Sequence, residues 1–225
     1  MSLDCASCPV RDNAACAVLS EEERAQLASA GRSRELARGE MLFAAGDPDT
    51  ICATLLTGAL KVASCDAEGN ERILALIHPA GFVGEMFAPF AAHDVIAIAP
   101  SRLCVFARAD MEAALARHPA LASALLRRSQ EELHRSRQLL ALGSGRSARD
   151  QVGGLLLALA QAASGSPCHA ASRFDLPVTR GEMASMLGLT IETVSRALTA
   201  LEQEGTLARH GPRGIELIDP ARLEP

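Results

Sequence analysis

The sequence predicts an α+β protein: an N-terminal β-roll, then a long helix, then a C-terminal winged helix-turn-helix. Three observations carry that prediction. Between about residues 31 and 108, short β-rich runs alternate with turns bearing glycine and proline. From Pro119 to about Leu142, one set of positions recurs at alternating steps of four and three. Near the C-terminus, two short helical patterns flank Gly188, and each opens on a threonine cap. With 225 residues, 48% of them apolar, the chain is long enough for two small domains with their own cores.

The N-terminal stretch "CASCPVRDNAAC" brings Cys5, Cys8 and Cys16 close together. The opening Met-Ser-Leu-Asp-Cys has neither a basic nor an apolar signal region, and the longest apolar run, "VGGLLLALAQAA", is too short to span a bilayer. A cytoplasmic protein with no membrane partner is expected. Seven cysteines are an odd number without the spacing of a secreted disulfide framework, and in a reducing compartment they point to metal binding or redox sensing. The net charge of -5 argues against a polybasic nucleic-acid binder, yet it leaves room for a compact DNA-reading module with its basic groups on one face. In "LSEEERAQL", Ser20 and Glu23 form the reciprocal pair that caps a helix start.

The runs "ICATLLTG", "LKVAS", "RILALI" and "DVIAIA" are separated by turn residues at 46–48, 58, 68–70, 79–81 and 84, the spacing of a β-barrel or roll. In the long helix, the recurring positions are Ala122, Leu126, Ser129, Leu133, Ser136 and Leu140. They form a heptad seam with small polar residues between the leucines. The charged flanks in "RRSQEELHRSRQ" favour pairing with a second copy, a homodimer, over packing on the chain's own roll. Gly143-Ser144-Gly145 then ends the helix. The resulting division is a cysteine-rich segment at 1–18, the roll at 19–118, a dimerisation helix at 119–143 and the winged helix-turn-helix at 146–225.

In "LPVTRGEMASMLGLTIETVSRALTALEQEGTLARHGPRGIELID", Thr179 and Glu182 make a capping box, with Arg180 at the first helical position, and the helix stops at Gly188; Thr179 and Arg180 are expected among the DNA-binding residues. A second helix opens at Thr190 and runs toward Gly205, with Val194, Leu198 and Leu201 as its inward stripe. Its first two turns present Thr190, Glu192, Ser195 and Arg196, the residue types that reach base edges from a recognition helix. Glu accepts from cytosine N4, Arg pairs with guanine O6 and N7, and Ser or Thr adapt to either strand. The segment "TLARHGPRGIELI" reads as a hairpin wing that places Arg209, His210 and Arg213 for phosphates.

On these residues the sequence resembles the CRP/FNR family of transcription regulators over nearly its whole length. "TIETVSR" is similar to the recognition motif of the oxygen-responsive FNR branch, with Glu192, Ser195 and Arg196 at the base-reading positions. Cys5, Cys8 and Cys16 stand with two and then seven residues between them, and Pro9-Val10-Arg11 follows Cys8. That spacing resembles FNR-type proteins of alphaproteobacteria, whereas other members have a shorter second gap. The family's fourth ligand lies at the end of the β-roll, and the matching stretch "SRLCVFARADMEAAL" points to Cys104. The resemblance implies a cyclic-nucleotide-binding-like sensor roll and an oxygen-labile 4Fe-4S cluster on Cys5, Cys8, Cys16 and Cys104. It also implies double-stranded DNA bearing an inverted repeat of TTGAT and ATCAA, RNA polymerase as a partner, and control of anaerobic or microaerobic genes. Thiolate chemistry by itself leaves zinc or a metal-free thiol switch open at the same cysteines.

Cys52 and Cys65 are expected as small core residues, and Cys168, in "SGSPCHAAS", as an exposed thiol. The six histidines show no ligand spacing. Gly84-Glu85 matches a pair in cyclic-nucleotide-binding members of the family, but Asp94-Val95 stands near their phosphate-neutralising Arg-Ser pair, and an aspartate there repels phosphate. No cyclic AMP effector is expected. There is no G-x-x-x-x-G-K loop, no Ser-His-Asp arrangement and no Trp or Tyr to line a substrate pocket, so the chain is not expected to be an enzyme.

Overall fold

A computed structural model describes residues 3–48, 51–69, 71–143, 146–164 and 170–223. The chain divides into two compact units, Met1–Glu68 with Ala75–Ser136, and Gly69–Leu74 with Arg137–Pro225.

The first unit begins with turns organised by Asp4, whose carboxylate accepts from the Ala6 N–H at 3.0 Å and from the Ser7 hydroxyl at 2.6 Å. A 3-10 turn at Ala15–Val18 leads to α1, Glu21–Ala30. The expected capping box is present: Ser20 Oγ accepts from the Glu23 N–H, and the Glu23 carboxylate accepts from the Ser20 N–H at 2.8 Å. Eight strands follow: β1 (Gly31–Leu36), β2 (Met41–Phe43), β3 (Ile51–Thr57), β4 (Leu60–Cys65), β5 (Glu71–Ile77), β6 (Phe82–Val83), β7 (Asp94–Ala97) and β8 (Ser101–Ala107). They form two four-stranded sheets, ordered β1-β8-β3-β6 and β2-β7-β4-β5. Leu36, Leu55 and Leu103 from the first sheet meet Leu60, Ile77 and Val95 from the second in one apolar core. The four runs read as strands correspond to β3, β4, β5 and β7. β1, "GRSREL", carries no apolar alternation, and as an edge strand it is held by its antiparallel register with β8 rather than by burial on both faces. Two helices follow, α2 (Arg108–Arg117) and α3 (Pro119–Leu142), the second beginning in the first unit's residues and ending in those of the second, within a residue of the long helix the sequence predicts.

The second unit holds α4 (Ala148–Ala163), β9 (Arg173–Asp175), α5 (Arg180–Leu187), α6 (Ile191–Gln203), β10 (Leu207–His210) and β11 (Gly214–Leu217). The apolar run "VGGLLLALAQAA" is α4, and its paired glycines have a packing reason: a Cβ on Gly154 would stand 2.5 Å from Leu142 Cδ2. Leu155, Leu156, Met183, Leu198, Leu207 and Ile215 are fully buried. No helix among the described residues is long and apolar enough to cross a membrane.

Candidate cysteine site and helix-turn-helix surface

β8 lies between β1 and β3, so Cys104 stands opposite Ser33 on one side and Thr54 on the other. Side chains alternate along the strand: Leu103 and Val105 enter the core of the roll, while Cys104 and Phe106 turn to the opposite face. The N-terminal arm covers that face. Leu19, Leu27, Met111 and Leu121 cluster around Phe106 with Cys16 and Cys104 against them, and Val10, Ala14 and Ala80 gather Cys8 and Cys16. In consequence Cys5, Cys8, Cys16 and Cys104, the four residues that the family resemblance implies as ligands, line a single apolar cavity. Burial, and then the neighbouring cysteines, push the thiols of Cys5, Cys16 and Cys104 above the ordinary range, Cys104 most strongly. Among the described residues, no group of three or more His, Cys, Asp or Glu side chains is placed to hold a metal ion.

Arg24 also lines the cavity, and sequence reading did not single it out. Only 8% exposed, it donates from Nε to the Cys16 carbonyl at 3.4 Å and from Nη2 to the Ala17 and Leu19 carbonyls at 3.4 and 3.0 Å. It sits in a Glu-rich run that looks solvated. The one available signal is its position three residues before Leu27, the other buried residue of α1.

The remaining cysteines differ from one another. Cys52 is buried in the same cluster as Phe106, as a small core residue should be. Cys65 is exposed, which corrects its expected burial, because it ends β4 where the strand's inward alternation has already lapsed. Cys168 lies outside the described residues, as do His169 and the Ser144-Gly145 break. Glu85 accepts from the Ala92 N–H at 3.3 Å, and Asp94 accepts from the Ala45 N–H at 2.8 Å, so both carboxylates brace loops of the roll.

On α3, Leu121, Ala124 and Leu125 are buried, as are Leu139 and Leu142. Leu126, Leu133 and Leu140 are 62%, 50% and 53% exposed, seven residues apart. Ser129 is exposed, and Ala122 and Ser136 are half-buried. The three leucines and Ser129 thus lie exposed along one stripe of α3, while Ala122 and Ser136 are partly covered.

Helix α5 has its expected box: Thr179 Oγ1 accepts from the Glu182 N–H at 3.2 Å, and the Glu182 carboxylate accepts from the Thr179 N–H at 2.6 Å. It ends at Gly188, whose φ of 65° is the left-handed turn glycine adopts without strain. Thr190 caps α6 by accepting from the Thr193 N–H at 3.2 Å. Val194, Leu198 and Leu201 are buried, while Thr190, Glu192 and Arg196 are exposed and Ser195 is half-buried. The Glu192 carboxyl is held below its ordinary range by the backbone N–H at the helix start, with help from Thr190 and Arg196, so it remains a hydrogen-bond acceptor. The wing is β10 and β11 with β9 as a third strand. Thr179, Arg180, Arg209 and Arg213 line one open groove of this unit. Arg209 donates from Nε to Glu202 Oε2 at 2.8 Å, which joins the wing to α6 and gives Arg209 a structural task the sequence did not announce. His210 and Arg173 both engage Glu216 at 2.7 Å.

Residues 33–118 match the cyclic nucleotide-binding domain family, and residues 150–225 match the Crp-like helix-turn-helix domain family. The chain is 32% identical to the transcriptional activator protein FnrL of Cereibacter sphaeroides, across 97% of this chain and 90% of that protein. It is 32% identical to the nitrogen fixation regulation protein FixK of Bradyrhizobium diazoefficiens, across 98% and 92%. The solved structure of FixK2 from Bradyrhizobium japonicum superposes with a TM-score of 0.76 at 25% identity, covering 86% of this chain and 95% of that one. Together with the roll, the long helix and the winged helix-turn-helix, these likenesses show that the chain is not an enzyme but belongs to the CRP/FNR family of DNA-binding transcription regulators.

Proposed function

We propose that this chain is an oxygen-responsive regulator that binds a 4Fe-4S cluster through Cys5, Cys8, Cys16 and Cys104 and controls genes for anaerobic or microaerobic life from the cytoplasm. The observation that carries the proposal is the shared cavity: three thiols from the N-terminal arm and one from the middle of a sheet open onto the same apolar space. Cysteine thiolates are the ligand type that holds 4Fe-4S clusters, and all four face one largely apolar space. When bound, the cluster supplies a group that oxygen destroys and that charge-compensates four ionised thiols.

The residues of this chain connect that site to α3. Leu121, in the first turn of α3, packs in the cluster that includes Cys16 and Cys104. Arg128, further along α3, donates to the carbonyl of Asn13, which lies between Cys8 and Cys16. An arm drawn onto β8 therefore bears directly on the helix whose leucines are exposed, and the pairing of two copies through Ala122, Leu126, Ser129, Leu133, Ser136 and Leu140 responds to the state of the cysteines. A two-fold dimer sets its α6 helices in successive major grooves about 34 Å apart. Glu192, Ser195 and Arg196, with Thr190, read the bases of a TTGAT and ATCAA inverted repeat. Thr179, Arg180, Arg209 and Arg213 contact phosphates, and RNA polymerase is the partner at the promoter. The working segments are 1–18, 19–118, 119–143 and 146–225.

The test is purification without air, followed by an absorption spectrum, iron and sulfide analysis, and binding to a duplex carrying the repeat before and after aeration. Brown protein with four irons per chain, losing both colour and DNA affinity in air, is expected. Colourless, air-stable protein with stoichiometric zinc overturns the proposal. Metal-free protein whose DNA binding follows thiol oxidation replaces it with a thiol switch.

A further inference from the structure

Arg24 is the one charged side chain among the described residues that line the cysteine cavity, whose other walls are cysteines, apolar groups and Thr54. It is buried, and its planar fork of donors spans the carbonyls of Cys16, Ala17 and Leu19, three acceptors of the turn that carries Cys16. Its carboxylate neighbour is Glu21, 3.7 Å from Nη1, with a side chain 78% exposed that is also paired to Arg11. A carboxylate so placed in water screens little of the field that Arg24 projects into the apolar cavity.

We propose that Arg24 is the electrostatic positioning residue of the cysteine site: its buried positive charge raises the reduction potential of the cluster held there while its fork fixes the Cys16 turn. This rests on the cluster assignment above. The physical reason is general. Reduction adds one electron and makes a thiolate-ligated cluster more negative, so a fixed cation nearby stabilises the reduced form more than the oxidised one. In a low-dielectric cavity the effect survives, whereas at the surface water would cancel it.

The test is a one-electron potentiometric titration with dithionite on anaerobically purified wild type, Arg24→Gln and Arg24→Lys, with iron content and the melting of the metal-free proteins measured alongside. Arg24→Gln should shift the midpoint to more negative potential at unchanged iron content, and Arg24→Lys should return it most of the way to wild type. Equal midpoints in wild type and Arg24→Gln overturn the proposal and leave the cluster assignment standing. If Arg24→Gln takes up no iron, Arg24→Lys decides: cluster binding at a near-wild-type midpoint supports the role of charge. No cluster in Arg24→Lys, with wild-type melting, overturns that role in favour of a purely structural one. Wild-type protein that takes up no cluster overturns the assignment itself, a separate result.

Discussion

Cys104 on β8 stands directly across the ladder from Thr54 on β3, and both side chains reach the cavity on the face of the sheet that the N-terminal arm covers. One thiol is thus anchored in a strand paired on both sides, while its three companions sit on turns. Replacing Cys104 with Ser should abolish the brown colour of anaerobic protein. Cys52→Ala, one residue pair further along the same sheet face, should keep colour and iron and lower stability by only about 1 kcal/mol. Absorption, iron content and melting of the two variants check this, and loss of colour in Cys52→Ala alone would mean the ligand set is misassigned.

The exposed face of α6 makes a prediction about sequence preference. Arg196→Ala should lose roughly 1–3 kcal/mol of discrimination at one base pair, and Glu192→Ala should relax preference at another. Arg213→Ala should weaken binding to all duplexes alike and reduce the slope of affinity against salt by about one. Competition binding across single-base variants of the repeat, at two salt concentrations, separates these outcomes.

On α3, Ser129 is exposed and its hydroxyl donates back to the Leu125 carbonyl at 3.1 Å, so it adds nothing apolar to the face of Leu126, Leu133 and Leu140. Leucines at 129 and 136 should each contribute up to about 1.5–3 kcal/mol where fully buried between two copies. The double variant should sediment as a dimer and bind DNA in air. Leu133→Asp should do the opposite. A wild type that sediments as a dimer with and without oxygen would place the switch in a rearrangement of a standing dimer.

His78 gives the pH dependence. Burial, with the nearby Arg135 guanidinium, pushes it down to about 4 from an ordinary 6.5. A histidine depressed by folding binds fewer protons in the native state than in the unfolded one, so its contribution is complete above about pH 6.5 and is lost as pH falls toward 4. Relative to His78→Gln, the wild type should lose up to about 3 kcal/mol across that window and run parallel above it. Urea titrations at several pH values measure the difference.

The helix-turn-helix was legible because its signals are local: Thr179 with Glu182, Gly188 and Thr190 each act within three or four residues, and the structure has all of them where the sequence puts them. The exposed leucines of α3 were legible for the same reason, since a helix repeats its face every seven residues. Spacing alone grouped Cys5, Cys8 and Cys16, but Cys104 entered only by family resemblance, because nothing local relates a strand in the middle of a sheet to an arm nearly ninety residues earlier. Only the tertiary structure decided that these four thiols share one cavity, that Arg24 in a Glu-rich run is buried against it, that Arg209 is tied to Glu202, and that Cys65 faces out. Periodicity and capping are properties of a few successive residues, whereas burial and the company a charge keeps are set by which distant segments the packed sheets and helices bring to the same place.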